Sequence, residues 1–168
     1  MRGAGAPASL DLTALFRAEA ASIFGYLLLR CGSRAVAEDL AGETFLAASR
    51  LFAAGRGNEV TPAWLQTVAH RRLVDHWRSS SARRRRTTRL LAERRPEEVP
   101  PGDPDNRVDR ALTSLPERQR AVLVLRYLDE YSVSEVAAAL SLSYKATESL
   151  LSRARASFTT AYEEIDDD

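Results

Sequence analysis

The chain has 168 residues, of which 45% are hydrophobic and 28% are charged, and its formal net charge is +1. These values are ordinary for a soluble globular protein of one or two small domains. Cys31 is the single cysteine, which excludes an internal disulfide and a multi-cysteine zinc site, and we expect it to pack as a small apolar side chain. No apolar run reaches the length of a bilayer-spanning helix, so we expect a cytoplasmic protein without membrane insertion.

Helical periodicity begins near the N-terminus and stops at defined breaks. One apolar face extends from Leu12 to Leu28 and ends at Gly32, and Ser33 is a typical cap for a second helix over 35–51. In the second helix, the residues expected to face inward are Val36, Leu40, Phe45, Leu46 and Phe52. The residues expected on its exposed side are Glu38, Asp39, Glu43 and Thr44.

A glycine-containing loop and a basic helix follow. The loop covers 55–60, and Thr61 before Pro62 predicts the start of a third helix. Between Arg71 and Arg95, ten arginines are accompanied by only two acidic residues. Such a block is either a solvated charged run or a surface that contacts phosphates, so the near-zero net charge does not exclude a nucleic-acid partner.

The pattern predicts an all-α fold of two small helical domains joined by a flexible linker. We expect an N-terminal domain over 10–93, a proline-containing polar linker over 94–106, a C-terminal domain over 107–162 and an acidic tail over 163–168. No strand alternation interrupts the helical pattern. The prolines should make the linker stiffer than a chain of glycine and serine.

The C-terminal domain contains a predicted helix-turn-helix. Pro116 suits a first helical turn, Ser132 and Glu135 form a capping box, and Ser143 is a plausible cap for the last helix. The turn has Ser141 where glycine is usual, which predicts slight backbone strain. The last helix mixes small, hydroxyl and basic residues, a composition typical of a helix that enters the DNA major groove. A plain helical bundle with a solvated polar face is the alternative.

Two segments together resemble the conserved domains of bacterial sigma factors of the extracytoplasmic-function (ECF) type. The first resemblance rests on 38–46 and on 64–78, from Trp64 to Arg78. The second rests on Leu115-Pro116-Glu117-Arg118-Gln119-Arg120, the helix-turn-helix and its Ser-Arg-Ala-Arg ending. A Leu-Pro-x-x-x-Arg motif with a helix-turn-helix also occurs in response-regulator output domains. The two motifs in this order, separated by a linker, are specific to the sigma factors.

The resemblance implies a promoter-recognition subunit whose partners are RNA polymerase core enzyme and promoter DNA, with an anti-sigma protein as a further candidate. The segment that binds polymerase matches Asp39, Glu43, Thr44 and Phe45. The segments that contact the minus-ten element match Asn58, Trp64, Arg71, Arg72, Asp75, His76 and Arg78. The helix that reads the minus-thirty-five element matches Ser143, Tyr144, Lys145, Thr147, Glu148, Ser149, Ser152, Arg153 and Arg155.

Several of these residues have a second interpretation. Phe45 and Trp64 also suit core packing, as does Trp77, and the two histidines are interpreted as polar helix residues. Arg153 and Arg155 contact either phosphate or guanine, and Glu148 either accepts from cytosine or keeps the helix away from phosphate.

The residues indicate no catalytic site and no cofactor. The sequence has no apparent pair of carboxylates in an apolar setting, no nucleophile beside a base and no phosphate-binding glycine loop. Two other functions remain open at this point. One is a helix-turn-helix regulator that binds a two-fold symmetric site by itself. The other is an adaptor that binds polymerase without supporting initiation.

Overall fold

The computed structural model describes residues 11–87 and 106–165, and the regular structure in these two stretches is entirely helical. The first stretch contains α1 (Leu12–Cys31), α2 (Arg34–Ala53), a 3₁₀ turn (Gly57–Glu59) and α3 (Pro62–Thr87). The second contains α4 (Arg107–Ser114), α5 (Glu117–Leu123), a π-helical turn (Val124–Leu128), α6 (Val133–Leu140) and α7 (Tyr144–Glu164). The all-α prediction is confirmed. The predicted linker before Asn106 and the last three residues of the tail lie outside the described residues.

The predicted helix boundaries rest on caps that the structure contains. The hydroxyl of Ser33 accepts from the backbone N–H of Val36, and Ser143 does the same for Ala146. Ser132 and Glu135 form both hydrogen bonds of the capping box. Each cap satisfies backbone donors that the first helical turn leaves without a partner. Local sequence therefore determines where α2, α6 and α7 begin.

Two helices end in the left-handed conformation. Gly32 ends α1 with φ 66°, and Ser141 ends α6 with φ 54° and ψ 45°. Glycine adopts this region freely, whereas a serine Cβ crowds the backbone there. The expected strain at the glycine-free turn is therefore present. The sequence placed Pro116 within the first turn of a helix, and the structure places it one position earlier, as the N-cap of α5.

The two helical halves pack against each other. Helix α1 contacts α4 and α5, and α3 contacts α5 and α6. Buried side chains from both halves form a continuous apolar cluster, which includes Ile23, Leu27, Leu65, Leu73, Trp77, Val122, Leu125, Val136, Leu140 and Leu151. Cys31 is buried within it, as expected from the sequence. The two domains predicted from the sequence are therefore in direct contact in this structure.

Three predictions about exposure were wrong. Thr44 and Thr147 were expected on solvent-facing sides of their helices, but both are fully buried. The hydroxyl of Thr44 donates to the Leu40 carbonyl at 2.8 Å, and that of Thr147 donates to the Ser143 carbonyl at 3.0 Å. Each hydroxyl is thus satisfied within its own helix, which allows its methyl group to pack in the core. Leu46 was expected to face inward and is instead half exposed.

Helix α1 corrects the prediction about membrane-spanning length. Its 20 residues are long and apolar enough, by length and composition, to cross a bilayer. These two criteria do not distinguish a spanning helix from a core helix of a globular protein. In this structure α1 packs on α2 and α3 and buries Ile23, Leu27 and Cys31.

Candidate nucleic-acid interface

Helix α7 presents a polar face to solvent from its first turn onward. Its apolar side buries Leu150, Leu151 and Ala154, and α7 packs on α4, α5 and α6. The predicted minus-thirty-five residues exposed to solvent are Ser143, Tyr144, Lys145, Glu148, Ser149, Ser152, Arg153 and Arg155. Thr147 is the exception, because it lies in the core. The helix-turn-helix thus leaves one face of α7 exposed to solvent, while the opposite face packs in the core.

An exposed tyrosine extends this face beyond α7. Tyr127, in the π-helical turn, is 52% exposed, and its hydroxyl accepts from Arg155 Nη1 at 3.1 Å. The guanidinium of Arg126 lies 5.6 Å from the centre of the Tyr127 ring. Tyr127 was not among the predicted site residues, because only Arg126 is a basic neighbour in the sequence and Arg155 comes close only in the fold. The hydrogen bond orients the Arg155 side chain at the edge of the face.

The loop before α3 is packed at its base and leaves Asn58 in solvent. Val60 is buried below the loop, and a Cβ on Gly57 would lie 2.6 Å from the Phe52 ring, so glycine is required for this approach. Arg56 donates to both carboxylate oxygens of Glu59, at 2.6 and 2.7 Å. These hydrogen bonds lower the pKa of Glu59. Asn58 itself is exposed and holds both donor and acceptor groups toward solvent.

The outer side of α3 carries charged residues that pair locally. Arg71 and Asp75 are exposed, and Arg78 Nη1 lies 3.7 Å from Asp75. Arg72 Nε lies 3.7 Å from Glu43 on α2, which joins a predicted DNA contact to a predicted polymerase contact. Exposed ion pairs of this length contribute little stability, so the guanidinium groups can exchange these acids for phosphates at low cost.

The inner side of α3 contacts the C-terminal half. His76 Nε2 donates to Glu117 at 2.9 Å, and the Ser80 hydroxyl donates to the same oxygen at 3.5 Å. Arg78 Nε donates to the Ala139 carbonyl of α6 at 3.0 Å. Two of the predicted minus-ten residues, His76 and Arg78, therefore contact the C-terminal half, although the Arg78 side chain stays 47% exposed. Trp77 is 1% exposed, which confirms its interpretation as a core residue, whereas Trp64 is only partly buried.

A second polar cluster joins the halves around His70. Its Nδ1 lies 3.0 Å from the Tyr26 hydroxyl and its Nε2 lies 3.0 Å from the Tyr131 hydroxyl. Arg30 donates to Asp129 at 3.4 Å and lies 3.9 Å from the centre of the Tyr26 ring. Burial raises the pKa of Tyr26 to about 12. Both histidines of the chain thus lie between the halves, a role that the sequence did not indicate.

Arg120, the arginine of the Leu-Pro-x-x-x-Arg motif, is a structural residue. It is 3% exposed, and its guanidinium donates to the carbonyls of Leu112, Thr113 and Leu115 and, across to the other half, of Cys31. These acceptors include carbonyls near the end of α4 that lack helical donors. Burial lowers the pKa of Arg120. The motif therefore fixes the turn between α4 and α5 and connects it to α1.

Helix α2 presents exposed acidic residues with apolar side chains beside them. Asp39 and Glu43 are exposed, whereas Phe45 is mostly buried and packs edge-on against Phe16 at 4.8 Å between ring centres. Phe16 and Leu46 are each 50% exposed beside it. Phe16, which was not among the predicted site residues, packs over Phe45 and is the more exposed of the two rings.

The two halves match separate family models. Residues 15–84 match Sigma-70 region 2, and residues 105–158 match Sigma-70, region 4. A likeness is also found to two solved structures. The complex of the sigma factor RpoE with the anti-sigma factor NepR from Bartonella quintana gives a TM-score of 0.49 at 18% identity, covering 91% of this chain and 97% of that one. The RsbN–BldN complex gives a TM-score of 0.36 at 25% identity, covering 91% and 92%.

Curated relatives agree with the family models. The chain is 31% identical over 117 residues to the ECF RNA polymerase sigma factor SigF of Caulobacter vibrioides and covers 65% of its length, with 70% of this chain aligned. It is 30% identical over 141 residues to the ECF sigma factor BldN of Streptomyces coelicolor, covering 53% of BldN and 79% of this chain. It is 27% identical to the sigma factor YlaC of Bacillus subtilis, covering 86% of YlaC and 84% of this chain. The chain therefore belongs to the ECF family of RNA polymerase sigma factors.

Proposed function

We propose that this chain binds RNA polymerase core enzyme in the cytoplasm and directs initiation at promoters by contacting a minus-ten and a minus-thirty-five element. It supplies binding energy rather than a chemical step, and that energy positions the polymerase on the promoter. The observation that carries the proposal is the exposed polar face of α7, which follows a capped turn in a region 4 domain and includes Arg153 and Arg155. The N-terminal residues of a recognition helix are suited to base edges, and arginines on the exposed face of that helix are suited to phosphates or base edges.

The N-terminal half supplies the proposed minus-ten contacts. Asn58 offers an amide to an unstacked base, and Arg71 and Arg72 offer guanidinium groups to the phosphates on the outer side of α3. Flipping a base out of the stack costs a few kcal/mol, so the contacts that the loop makes with the flipped base must offset that cost. The packing under the loop, from Val60 and the Gly57–Phe52 contact, favours this because a loop held in place loses less conformational entropy on binding.

The exposed surface of α2 is the proposed polymerase contact. Asp39 and Glu43 supply negative charge, and Phe16 and Leu46 supply apolar area beside it. A basic and partly apolar polymerase surface would complement this combination. Thr44 and Phe45 are buried under this surface, so we expect them to hold the exposed residues in position rather than to contact polymerase directly. An anti-sigma protein is a candidate third partner that would compete for the same surfaces.

Run-off transcription with purified core polymerase on genomic fragments tests the proposal. We expect discrete transcripts that require this protein, and we expect the loss of those transcripts when Arg153 and Arg155 are replaced by alanine. Sequence-specific binding of the free protein to a two-fold symmetric site, without transcripts, would favour the regulator. Binding to polymerase without transcripts would favour the adaptor.

A further inference from the structure

The turn that follows α5 brings an exposed tyrosine beside the polar face of α7. Residues Val124–Leu128 form a π-helical turn, in which the backbone N–H of Asp129 donates to the Val124 carbonyl at 3.0 Å. A hydrogen bond across five residues instead of four rotates the following residues around the helix axis, and such turns are frequent at functional sites. Val124 and Leu125 are buried, whereas Tyr127 is 52% exposed. The turn therefore places a large aromatic side chain in solvent at the end of a buried segment.

Tyr127 contacts Arg155, which lies at the end of a row of exposed residues along α7. The row consists of residues three or four positions apart, which share one side of a helix: Tyr144, Glu148, Ser152 and Arg155. Arg155 Nη1 donates to the Tyr127 hydroxyl at 3.1 Å, although the two residues are 28 positions apart in the sequence. The tyrosine therefore extends this row from α7 onto the turn before α6.

The contact leaves both side chains able to bind an anion. A phenol hydroxyl that accepts from an arginine keeps its own proton to donate, and the guanidinium keeps its remaining N–H groups. Within residues 11–87 and 106–165, no carboxylate forms an ion pair with Arg155. The Arg126 guanidinium, 5.6 Å from the centre of the Tyr127 ring, adds a second positive charge. A phosphate group, which accepts several hydrogen bonds and is favoured by positive charge, fits this combination.

The position of the two side chains along α7 favours a DNA phosphate over a base edge. Arg155 lies about three turns, or about 16 Å, beyond the first residue of α7. In helix-turn-helix proteins the N-terminal residues of the second helix contact the base edges. A residue this far along the helix therefore lies nearer to the sugar–phosphate backbone.

We propose that Tyr127 and Arg155 bind one DNA phosphate as a pair, in which the tyrosine hydroxyl positions the guanidinium and donates its own proton to the same phosphate. The proposal rests on the proposed function, because it takes the exposed face of α7 as a DNA contact, and it adds a residue outside α7 to that surface. An arginine that is already held in place loses less side-chain entropy on binding. Each side chain therefore contributes fully only when the other is present.

A double-mutant cycle in the full chain tests the pair. Tyr127→Phe removes only the hydroxyl, Arg155→Ala removes the guanidinium, and the double variant removes both. Tyr162→Phe is the matched control, because Tyr162 lies on α7 and the Arg107 guanidinium lies 4.5 Å from the centre of its ring. Fluorescence anisotropy measures the affinity of each protein for a labelled DNA duplex of random sequence over a range of salt concentrations. Urea denaturation followed by circular dichroism measures the stability of each variant.

We expect Tyr127→Phe to weaken binding about fivefold when Arg155 is present and less than about twofold when it is replaced by alanine. Arg155→Ala should reduce the magnitude of the salt slope by about 1, as the loss of one phosphate contact requires. Tyr162→Phe should bind like the wild type, and Tyr127→Phe should be as stable as the wild type.

Three results would overturn the proposal. The first is a loss of affinity for Tyr127→Phe that is equal in both backgrounds, or no larger than that of the control. The second is an unchanged salt slope for Arg155→Ala. The third is a loss of stability in Tyr127→Phe that accounts for its weaker binding, since the hydroxyl would then have a structural role only.

The result is separable from the test of the proposed function. Arg153→Ala removes an exposed arginine of α7 that does not contact Tyr127. If this variant binds more weakly while Tyr127→Phe does not, the pair is wrong and α7 remains the DNA contact. If the cycle shows the expected coupling but run-off transcription gives no transcripts, the phosphate site stands and the proposed function is wrong.

Discussion

The two candidate DNA surfaces of this protein carry similar chemistry but differ in how they are held. Helix α7 packs on elements of its own half and leaves Arg153 and Arg155 in solvent. Helix α3 has an outer side in solvent, with Arg71, and an inner side that donates hydrogen bonds from His76 and Arg78 to the other half. One surface lies free along the exposed face of its helix, whereas the other is partly covered by contacts with the opposite half.

This difference shows that residue type alone does not determine whether a basic helix is available to DNA. Arg78 and Arg155 each make a hydrogen bond within the protein, but Arg155 bonds to exposed Tyr127 and Arg78 bonds to a main-chain carbonyl of the opposite half. The first bond orients the arginine at the surface, and the second connects α3 to the C-terminal half. Substitutions that affect the contact between the halves, and others that affect only the exposed surface of α7, test this difference.

The largest effect is expected from Trp77→Ala. Trp77 is fully buried where α3 meets the C-terminal half, in a cleft lined by Ala121, Leu140 and Leu150. Removing the ring should lower the free energy of unfolding by about 3–5 kcal/mol, since it leaves a cavity and loses the transfer energy of the ring. Urea denaturation followed by circular dichroism measures this change.

Trp64→Ala is the matched control, because Trp64 lies on the same helix and is only partly buried. Its cost should be clearly smaller. Equal costs for the two variants would show that the contact of α3 with the C-terminal half adds little to stability in solution.

The next effect is expected from Gly32→Ala. Gly32 has φ 66°, and a Cβ there would overlap the guanidinium of Arg120 from the other half. We expect a loss of about 2–4 kcal/mol in thermal or urea unfolding, which combines left-handed strain of about 1 kcal/mol with displacement of a buried charged group. The variant should also be more open in solution scattering, because Arg120 must move.

Gly55→Ala isolates the backbone part of this effect. Gly55 has φ 73° and nothing lies within 4 Å of a Cβ built on it, so only the strain remains. A loss for Gly32→Ala no larger than that for Gly55→Ala would contradict the close approach of Arg120 to α1.

The sequence predicted the local structure well, because local structure depends on residues that are near in the chain. Ser33, Ser143 and the Ser132–Glu135 pair act within three positions, and each began a helix where it was predicted. Polarity was a poorer guide to burial. Thr44 and Thr147 are in the core because a threonine can satisfy its hydroxyl on the carbonyl four residues earlier.

The contact between the halves could not be predicted in this way. His76 and Glu117 are 41 residues apart, and Arg30 and Asp129 are 99 residues apart, so no periodic pattern connects either pair. The histidines looked like solvated helix residues because their partners lie in the other half. The assignments of residues to polymerase and DNA came from the resemblance to the family, and they stay predictions until binding is measured.

A more moderate effect is expected from Arg153→Ala on the freely exposed surface. This change should weaken the binding of the free protein to a random-sequence duplex by about 1–3 kcal/mol, and it should reduce the magnitude of the salt slope by about 1 if the arginine contacts phosphate. The radius of gyration should not change, because Arg153 hydrogen-bonds only to the Ser149 carbonyl of its own helix among the described residues.

Arg78→Ala provides the comparison on α3. This variant loses a predicted DNA contact, but it also loses the bond to the Ala139 carbonyl that joins α3 to α6, which makes the inner side of α3 more accessible. The two consequences oppose each other. Its net loss of affinity should be smaller than that of Arg153→Ala. A larger loss, without expansion of the protein, would mean that Arg78 is as available to DNA as Arg153.

The smallest effect is expected from Ser132→Ala, which separates the start of α6 from the end that contacts α3. The variant loses the hydroxyl that accepts from Glu135 N–H at 3.2 Å and should be less stable by about 1 kcal/mol in urea at neutral pH. Its radius of gyration should match that of the wild type, because the carbonyl that receives Arg78 belongs to Ala139 in the last turn of α6. Expansion of this variant would mean that the contact between the two halves depends on the whole of α6.

The pH dependence of the same variant identifies which part of the capping box is lost. The backbone N–H of Ser132, more than its side chain, holds the pKa of Glu135 below the ordinary value of 4.5, and this N–H remains after the substitution. A lowered pKa adds stability above the unfolded value and loses it as the pH falls through the folded value. Both proteins should therefore lose this contribution below about pH 4.5, on nearly parallel curves of unfolding free energy against pH. A flat curve for the variant alone would show that the glutamate had left the cap, and that the hydroxyl positions both hydrogen bonds.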